Sequence, residues 1–241
     1  MGFDKYAIIA LKNLTKALGE AMNNIGDIDS MWLLERLKGL DLLRGFGEWW
    51  WEGAPSFLVV CGAVLVQNSR WEAVQASLNN LKTARILSDD DDEQSLDNLS
   101  KCASIESFIT PSGLYRQKSA RLIAIARAIV ADFGSFGAFR SEVSREWLLA
   151  QKGIGKESAD SILNYACERE IMVVDRYSYK LLCGLGIEIE EYEELQAWFM
   201  DLGDTQRLYG EIKLAKIYAR YHGKIVEFSK RKMSLDTLIA H

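Results

Sequence analysis

The chain has 241 residues, of which 49% are hydrophobic and only two are proline, and it carries a formal net charge of −5. That length can bury a real core in one large domain or two small ones. No apolar run is long enough to span a bilayer, so no membrane partner is expected. Few prolines and many apolar runs at 3.6-residue spacing predict an all-α protein. The first residues, Met1 to Lys12, hold only a short apolar stretch with Asp4 inside it, and do not read as a signal peptide. Four scattered cysteines (Cys61, Cys102, Cys167 and Cys183) form no Cys-x-x-Cys pair. They predict reduced thiols in a cytoplasmic protein and no metal site.

The acidic balance is local. Asp89 to Glu93 supplies five acids, and Glu188, Glu190, Glu191, Glu193 and Glu194 five more. Without them the remainder is net positive. Such runs read as solvated loops or helix faces. The basic residues gather elsewhere, at Arg116, Lys118, Arg121 and Arg127, at Lys152 and Lys156, and from Lys213 to Lys232. A basic face of that kind is sufficient for phosphate contacts.

In chain order, residues 1 to about 30 show helical spacing at Tyr6, Ile9, Leu11, Leu14 and Leu18. Asp29-Ser30 then caps a helix predicted from Met31 to Leu43. Three consecutive tryptophans come next, Trp49, Trp50 and Trp51. Neighbours on a helix lie about 100° apart, so at least one must be partly exposed or line a cavity. Phe57 to Val66 is a continuous apolar helix that ends in Gln67-Asn68-Ser69-Arg70-Trp71. Glu72 to Leu81 is amphipathic, and Ser88 to Ser95 reads as an acidic loop. A turn at Pro111-Ser112-Gly113 precedes a long helix from Lys118 to Phe133.

Trp147 to Ala150 begins a helix that runs into Gln151-Lys152-Gly153-Ile154-Gly155, and a second helix starts at Lys156. Two glycines permit positive φ and a close backbone approach. The unpaired amides of the second helix's first turn form an anion site. That arrangement is either a phosphate-holding helix-hairpin-helix or an ordinary corner between two helices. Met172-Val173-Val174 then leads into Asp175 and a helix from Arg176 to Cys183, closed by Gly184 or Gly186. Asp175 suits an N-cap, a catalytic carboxylate, or both. Helices over Glu190–Leu202 and Tyr209–Tyr221 precede a basic tail from His222 to Lys232. His222 is expected to be a hydrogen-bonded core residue rather than a ligand. Lys224, if buried, must be paired, deprotonated or covalently modified.

The glycine pair followed by Val173-Val174-Asp175, with Asp175 twenty positions after Gly155, resembles the HhH-GPD superfamily of base-excision DNA glycosylases, typified by endonuclease III. The likeness runs from about Trp49 to about Ser229. It implies two helical lobes, one over residues 48–169 and one from 1–47 with 170–241, with the pocket in the cleft between them. It makes Asp175 the catalytic carboxylate and Gln67 the side chain that fills the gap left by an extruded nucleotide. Lys152, Gly153, Gly155 and Lys156 become the DNA-binding hairpin. Ile123, Ile125, Ile129 and Val130 become core, with Arg116, Lys118 and Arg121 at the surface.

Within the superfamily the triple tryptophan is similar to the 3-methyladenine type III branch, and Trp50, Trp51, Trp71 and Lys230 would form the base pocket. Glu52 stands where that branch has proline, which leaves one wall open to question. Bifunctional members carry a lysine at the position of Glu157, so the resemblance implies a monofunctional enzyme. Endonuclease III holds an iron–sulfur cluster on four C-terminal cysteines, whereas no cysteine follows Cys183 here, so no cofactor is expected. The implied partner is double-stranded DNA with alkylated bases, chiefly 3-methyladenine, bound by a monomer. Excision of oxidised or mismatched bases, and a DNA-binding module without chemistry, are the competing readings.

Overall fold

The computed structural model describes residues 28–240, and every regular element in that span is helical. The helical spacing read within 1–27 lies outside the described residues. Helix α1 (Ser30–Gly39) is capped by Asp29, whose carboxylate accepts from the Trp32 amide at 2.7 Å. Then come α2 (Phe57–Leu65), α3 (Trp71–Thr83), α4 (Asp92–Lys101), a 3-10 turn at Thr110–Ser112, α5 (Tyr115–Phe133) and α6 (Phe136–Glu142). The hairpin is α7 (Arg145–Ala150) and α8 (Lys156–Ser161), and α8 runs on as a π-turn over Ile162–Ala166. The chain continues through α9 (Arg176–Gly184), α10 (Tyr192–Met200), α11 (Gln206–Tyr209), α12 (Leu214–Lys230) and α13 (Asp236–Ala240).

The largest boundary error is at α12. It begins five residues later than the spacing predicts, because Gly210 at φ +63° ends α11. It then continues through what reads as a basic tail. Ile225, Val226 and Phe228 stay buried at helical spacing and carry it to Lys230.

Buried apolar side chains form two clusters. One is built around α2, all nine residues of which are buried, with α3 to α8 packed about it. A helix apolar on every side belongs in the middle of a bundle. The other gathers Leu33, Leu34 and Leu37 of α1 with Leu181, Leu182, Phe199 and the later part of α12. Helix α12 serves both. Ala215 and Ala219 face the first cluster, while Ile217, Tyr218, Tyr221, Ile225 and Phe228 face the second. The small alanines let α12 approach the π-turn closely.

The acidic run at 89–93 is exposed apart from Asp92, yet its last three carboxylates have partners. Asp91 caps α4 by accepting from the Gln94 amide at 2.8 Å. Asp92 reaches across to α2 and accepts from the Phe57 amide at 2.7 Å. Glu93 reaches α6 and accepts from the amides of Phe136 and Gly137 at 2.8 and 2.9 Å. Three successive carboxylates thus satisfy three helix N-termini, each where the macrodipole favours negative charge.

Two other readings reverse. Lys118 is buried rather than at the surface, and its Nζ donates to the Leu65 and Ser112 carbonyls at 2.8 and 2.6 Å and to Ser69 Oγ at 2.9 Å. It closes the C-terminal end of α2, where a cation is favourable, and fixes the loop that carries Gln67. Val130 is exposed, whereas Ile123, Ile125 and Ile129 are core, because α5 turns only that stripe inward.

Lys224 is buried beside a cavity of about 380 Å³ lined also by Lys38, Arg220 and Tyr209. Its Nζ donates to the Tyr209 hydroxyl at 2.9 Å, a neutral partner. Burial, then Arg220 and Lys38, push its pKa down to about 7. The unfolded chain therefore binds more protons than the fold between that value and the ordinary lysine range, and stability gained through this group rises with pH across the window. Replacing Lys224 by Met should remove that rise and leave the protein more stable than wild type near pH 7. Urea unfolding midpoints of both proteins at pH 6.5 and 9.5 would check it, and equal pH slopes would refute it.

Candidate active site

Met172, Val173 and Val174 are buried and alternate between the two clusters, Val173 to the first and its neighbours to the second. The segment therefore runs along the seam and delivers Asp175 there. Asp175 caps α9, its Oδ1 accepting from the amides of Tyr177 and Ser178 at 2.8 and 2.9 Å, with Ser178 completing a capping box. The other oxygen, Oδ2, takes no part in the cap and lies 3.6 Å from His222 Nε2. Burial pushes this carboxyl up, but His222 and the two amides outweigh it and hold it below the usual carboxylate range. The N-cap role thus leaves one oxygen of an ionised carboxylate for chemistry.

The tryptophan run splits, but it lies in a turn between α1 and α2 rather than in a helix. Trp49 is buried in the first cluster, while Trp50 and Trp51 are partly buried and turn toward the seam. Trp50 has φ +68° and packs against both clusters. Its ring centroid lies 5.4 Å from that of His222, edge to face, and 6.2 Å from that of Tyr165. Trp51 lies 5.1 Å from Tyr165 and meets Trp71 edge to face at 5.4 Å. The structure therefore sets Trp50 and Trp51 against Tyr165, with Trp71 joined through Trp51 and His222 linking Trp50 and Tyr165 to Asp175. Glu52 is exposed and accepts from Gln75 on α3. Trp50 sits directly on the backbone of α12, where a Cβ at Gly223 would come within 2.5 Å of its Cγ.

The hairpin turns as expected, but only one glycine needs its freedom. Gly153 has φ +86°, and a Cβ there would lie 2.3 Å from Arg121 Nε. Gly155 is an extended N-cap at φ −94° with open space around it. Lys152 is exposed, and Lys156 is paired with Glu193 of α10 at 2.6 Å. Gln67 lies against the hairpin with both ends of its amide engaged. Its Nε2 donates to the Gly153 carbonyl at 2.9 Å and to Ser158 Oγ at 3.0 Å, and its Oε1 accepts from Arg121 at 2.9 Å.

Lys230 is a correction. It is exposed at the last position of α12, two turns or about 12 Å of helical rise beyond His222, and is not gathered with the aromatic rings.

Several residues escaped the sequence reading. Asp160 has no exposure and binds Arg145 through both oxygens, at 2.7 and 3.1 Å, and also Tyr192 and Gln196, each at 2.8 Å. Its one signal is a lone acid among the small and apolar residues of Ser158-Ala159-Asp160-Ser161-Ile162. Tyr165 sits in an apolar run that gives no hint of a polar task. Arg121 is indistinguishable by type from its exposed neighbours.

A family model described as HhH-GPD superfamily base excision DNA repair protein matches residues 61–204, which hold Gln67, the hairpin and Asp175. The chain belongs to this superfamily. A crystal structure of the 3-methyladenine DNA glycosylase of Helicobacter pylori bound to 1,N6-ethenoadenine superposes with a TM-score of 0.82 at 51% sequence identity, covering 86% of this chain and all of that one. A Methanocaldococcus jannaschii protein named as a DNA repair glycosylase is 33% identical over 189 residues, 76% of this chain and 80% of its own length. Endonuclease III of Thermotoga maritima is 26% identical over 125 residues, 52% of each chain. This HhH-GPD protein is a DNA glycosylase, and DNA is its substrate.

In this glycosylase the contact between Trp50 and Gly223 is testable. Gly223→Ala must displace the indole, and overpacking of this kind costs about 1–3 kcal/mol. A Cβ at Gly62 meets Trp51 at 3.3 Å, a milder contact. Thermal unfolding should place Gly223→Ala below both wild type and Gly62→Ala, and a Gly223→Ala protein as stable as wild type would show Trp50 to sit elsewhere.

Proposed function

We propose that this DNA glycosylase is a monofunctional, monomeric, cytoplasmic enzyme that hydrolyses the N-glycosidic bond of alkylated purines, chiefly 3-methyladenine. The observation that carries the reading is the free oxygen of an ionised Asp175 beside the ring cluster of Trp50, Trp51 and Trp71. Likeness at 51% identity to an enzyme named for 3-methyladenine supports the substrate class.

The chemistry follows from charge. Breaking the bond from sugar C1′ to the base sends its electron pair to the base and leaves positive charge on the sugar. A carboxylate held in a low-dielectric seam stabilises that charge and orients the attacking water. A purine alkylated on N3 or N7 is already cationic, so it leaves without a strong general acid. Electron-rich indole faces attract such a base by about 0.5–2 kcal/mol more than a neutral one, and stacking adds about 1–3 kcal/mol per base. The amides at Gly153–Gly155, with Lys152 beside them, can hold a phosphate of any sequence, and Gln67 is the side chain available to occupy the emptied stack.

Strand cleavage through a Schiff base would need a lysine directed at the sugar. Glu157 holds that position, and Lys156 is engaged by Glu193, which supports hydrolysis alone. We also propose that no iron–sulfur cluster is bound. The last cysteine is Cys183, and among the described residues no group of three or more His, Cys, Asp or Glu could hold a metal. Purified protein should show no visible absorbance band and no stoichiometric iron, and finding both would overturn this.

The decisive experiment incubates the protein with methylated duplex DNA and identifies the released bases. Wild type should release 3-methyladenine without nicking the strand. Asp175→Asn should keep its affinity for the duplex and lose at least about 10²-fold in single-turnover rate. Release of oxidised pyrimidines instead, or wild-type turnover by Asp175→Asn, would refute the assignment.

A further inference from the structure

His222 is the one imidazole among the described residues, and its surroundings go beyond packing. It is 5% exposed, with Nδ1 2.8 Å from the Tyr165 hydroxyl and Nε2 3.6 Å from Asp175 Oδ2. Nε2 is buried and has no hydrogen-bond partner. At 3.6 Å the approach to Asp175 is an electrostatic contact rather than a formed hydrogen bond. The Tyr165 hydroxyl also lies 2.9 Å from the Ala219 carbonyl.

The proton positions are set by these neighbours. A neutral imidazole with its proton on Nδ1 would set the lone pair of Nε2 against the Asp175 carboxylate. A neutral imidazole with its proton on Nε2 turns a donor toward Asp175, and the single Tyr165 proton is then contested by Nδ1 and the Ala219 carbonyl. An imidazolium also turns Nε2–H toward Asp175, while Tyr165 accepts from Nδ1–H and donates to Ala219. Both favourable states direct a proton at Oδ2.

We propose that His222, held by Tyr165, is the positioning residue of Asp175, fixing Oδ2 while the α9 amides fix Oδ1. The proposal rests on Asp175 being the catalytic carboxylate. Two helices then hold the two oxygens, α9 from its N-terminus and α12 through one side chain. The other charged and titratable groups that face the pair are Glu157 on α8, Tyr165 on the π-turn and Arg176 on α9. Glu157 is itself an acid, and its negative charge repels that of Asp175, so it cannot be what holds Asp175 low. Arg176 points its guanidinium at the ring and hydroxyl of Tyr177, which leaves His222 as the nitrogen group nearest Oδ2.

The test tracks the Asp175 carboxyl by ¹³C NMR on aspartate-labelled protein, with the resonance assigned from Asp175→Asn. In His222→Leu it should titrate about one to three pH units higher than in wild type, the range expected for losing a nearby opposite charge. His222→Gln, which keeps a donor without the charge, should fall between. Tyr165→Phe should shift it in the same direction as Leu, since the ring then loses its anchor. On methylated duplex, the acid limb of the single-turnover profile should move by the same interval, with about a tenfold rate loss below the new limb per unit. His222→Gln should recover more of the rate at pH 8 than His222→Leu. An Asp175 titration identical in wild type, His222→Leu and His222→Gln would overturn the proposal, as would an unmoved acid limb in folded variants. If wild type released no base at all, the activity assignment would fail, while the carboxyl titration would still decide the pairing.

Discussion

A single buried carboxylate, Asp160, holds the functional parts in register. Leaving a charge of that kind without partners would cost several kcal/mol, so its four donors are obligatory rather than decorative. They come from both sides of the molecule. Arg145 belongs to the first helix of the hairpin, while Tyr192 and Gln196 belong to α10. The amide nitrogen of Gln196 that reaches Asp160 also reaches the Met172 carbonyl at 2.6 Å, three residues before Asp175. The hairpin and the segment bearing Asp175 are therefore fixed to one point. The charge is shared in return. Arg145 is held more firmly protonated by its bond to Asp160, and the Tyr192 hydroxyl is driven far above its ordinary range by burial and by the same carboxylate.

Around that point the site is assembled mainly from backbone ends. The first turn of α9 supplies the amides that bind Asp175 Oδ1, and a glycine in α12 lets Trp50 rest on main chain. Side chains finish what the backbone begins. Lys118 closes α2 just before Gln67, and Arg121 underlies Gly153 and grips Gln67 at once. Rigid elements of this kind hold a constellation more tightly than loops do.

The features legible in the sequence had a local cause. Asp175 stands out because three apolar residues end on it, and the tryptophan run because sterics forbid a common face. Gly153 is legible because a sharp turn between helices needs positive φ. The misreadings share a different cause. Asp91, Asp92 and Glu93 look like a solvated run, and only the meeting of α2, α4 and α6 turns them into caps. Lys118 and Arg121 are three residues apart on one helix. One is buried because a helix end lies above it, and the other is half-buried under the hairpin, which no spacing rule reveals. Lys230 was placed by likeness alone, and the end of α12 leaves it in solvent. Gly155 shows the converse, a motif glycine whose surroundings in the free protein would accept a side chain.

The π-turn at Ile162–Ala166 has one residue more than an α-helical turn, with the Cys167 amide bonded to the Ile162 carbonyl five residues back at 3.1 Å. Such turns often sit at functional positions. This one aims Tyr165 at His222 and Asn164 at the Ala215 carbonyl, both on α12. Its length is thus a phase setting. Deleting one residue there would restore an α-helical repeat and rotate the later residues of the turn by about 100°. The tyrosine hydroxyl would leave the imidazole although Tyr165, His222 and Asp175 were all still encoded. For this stretch of chain, the number of residues constrains the site as tightly as their identity does, and a gap of one is a harsher change than most substitutions.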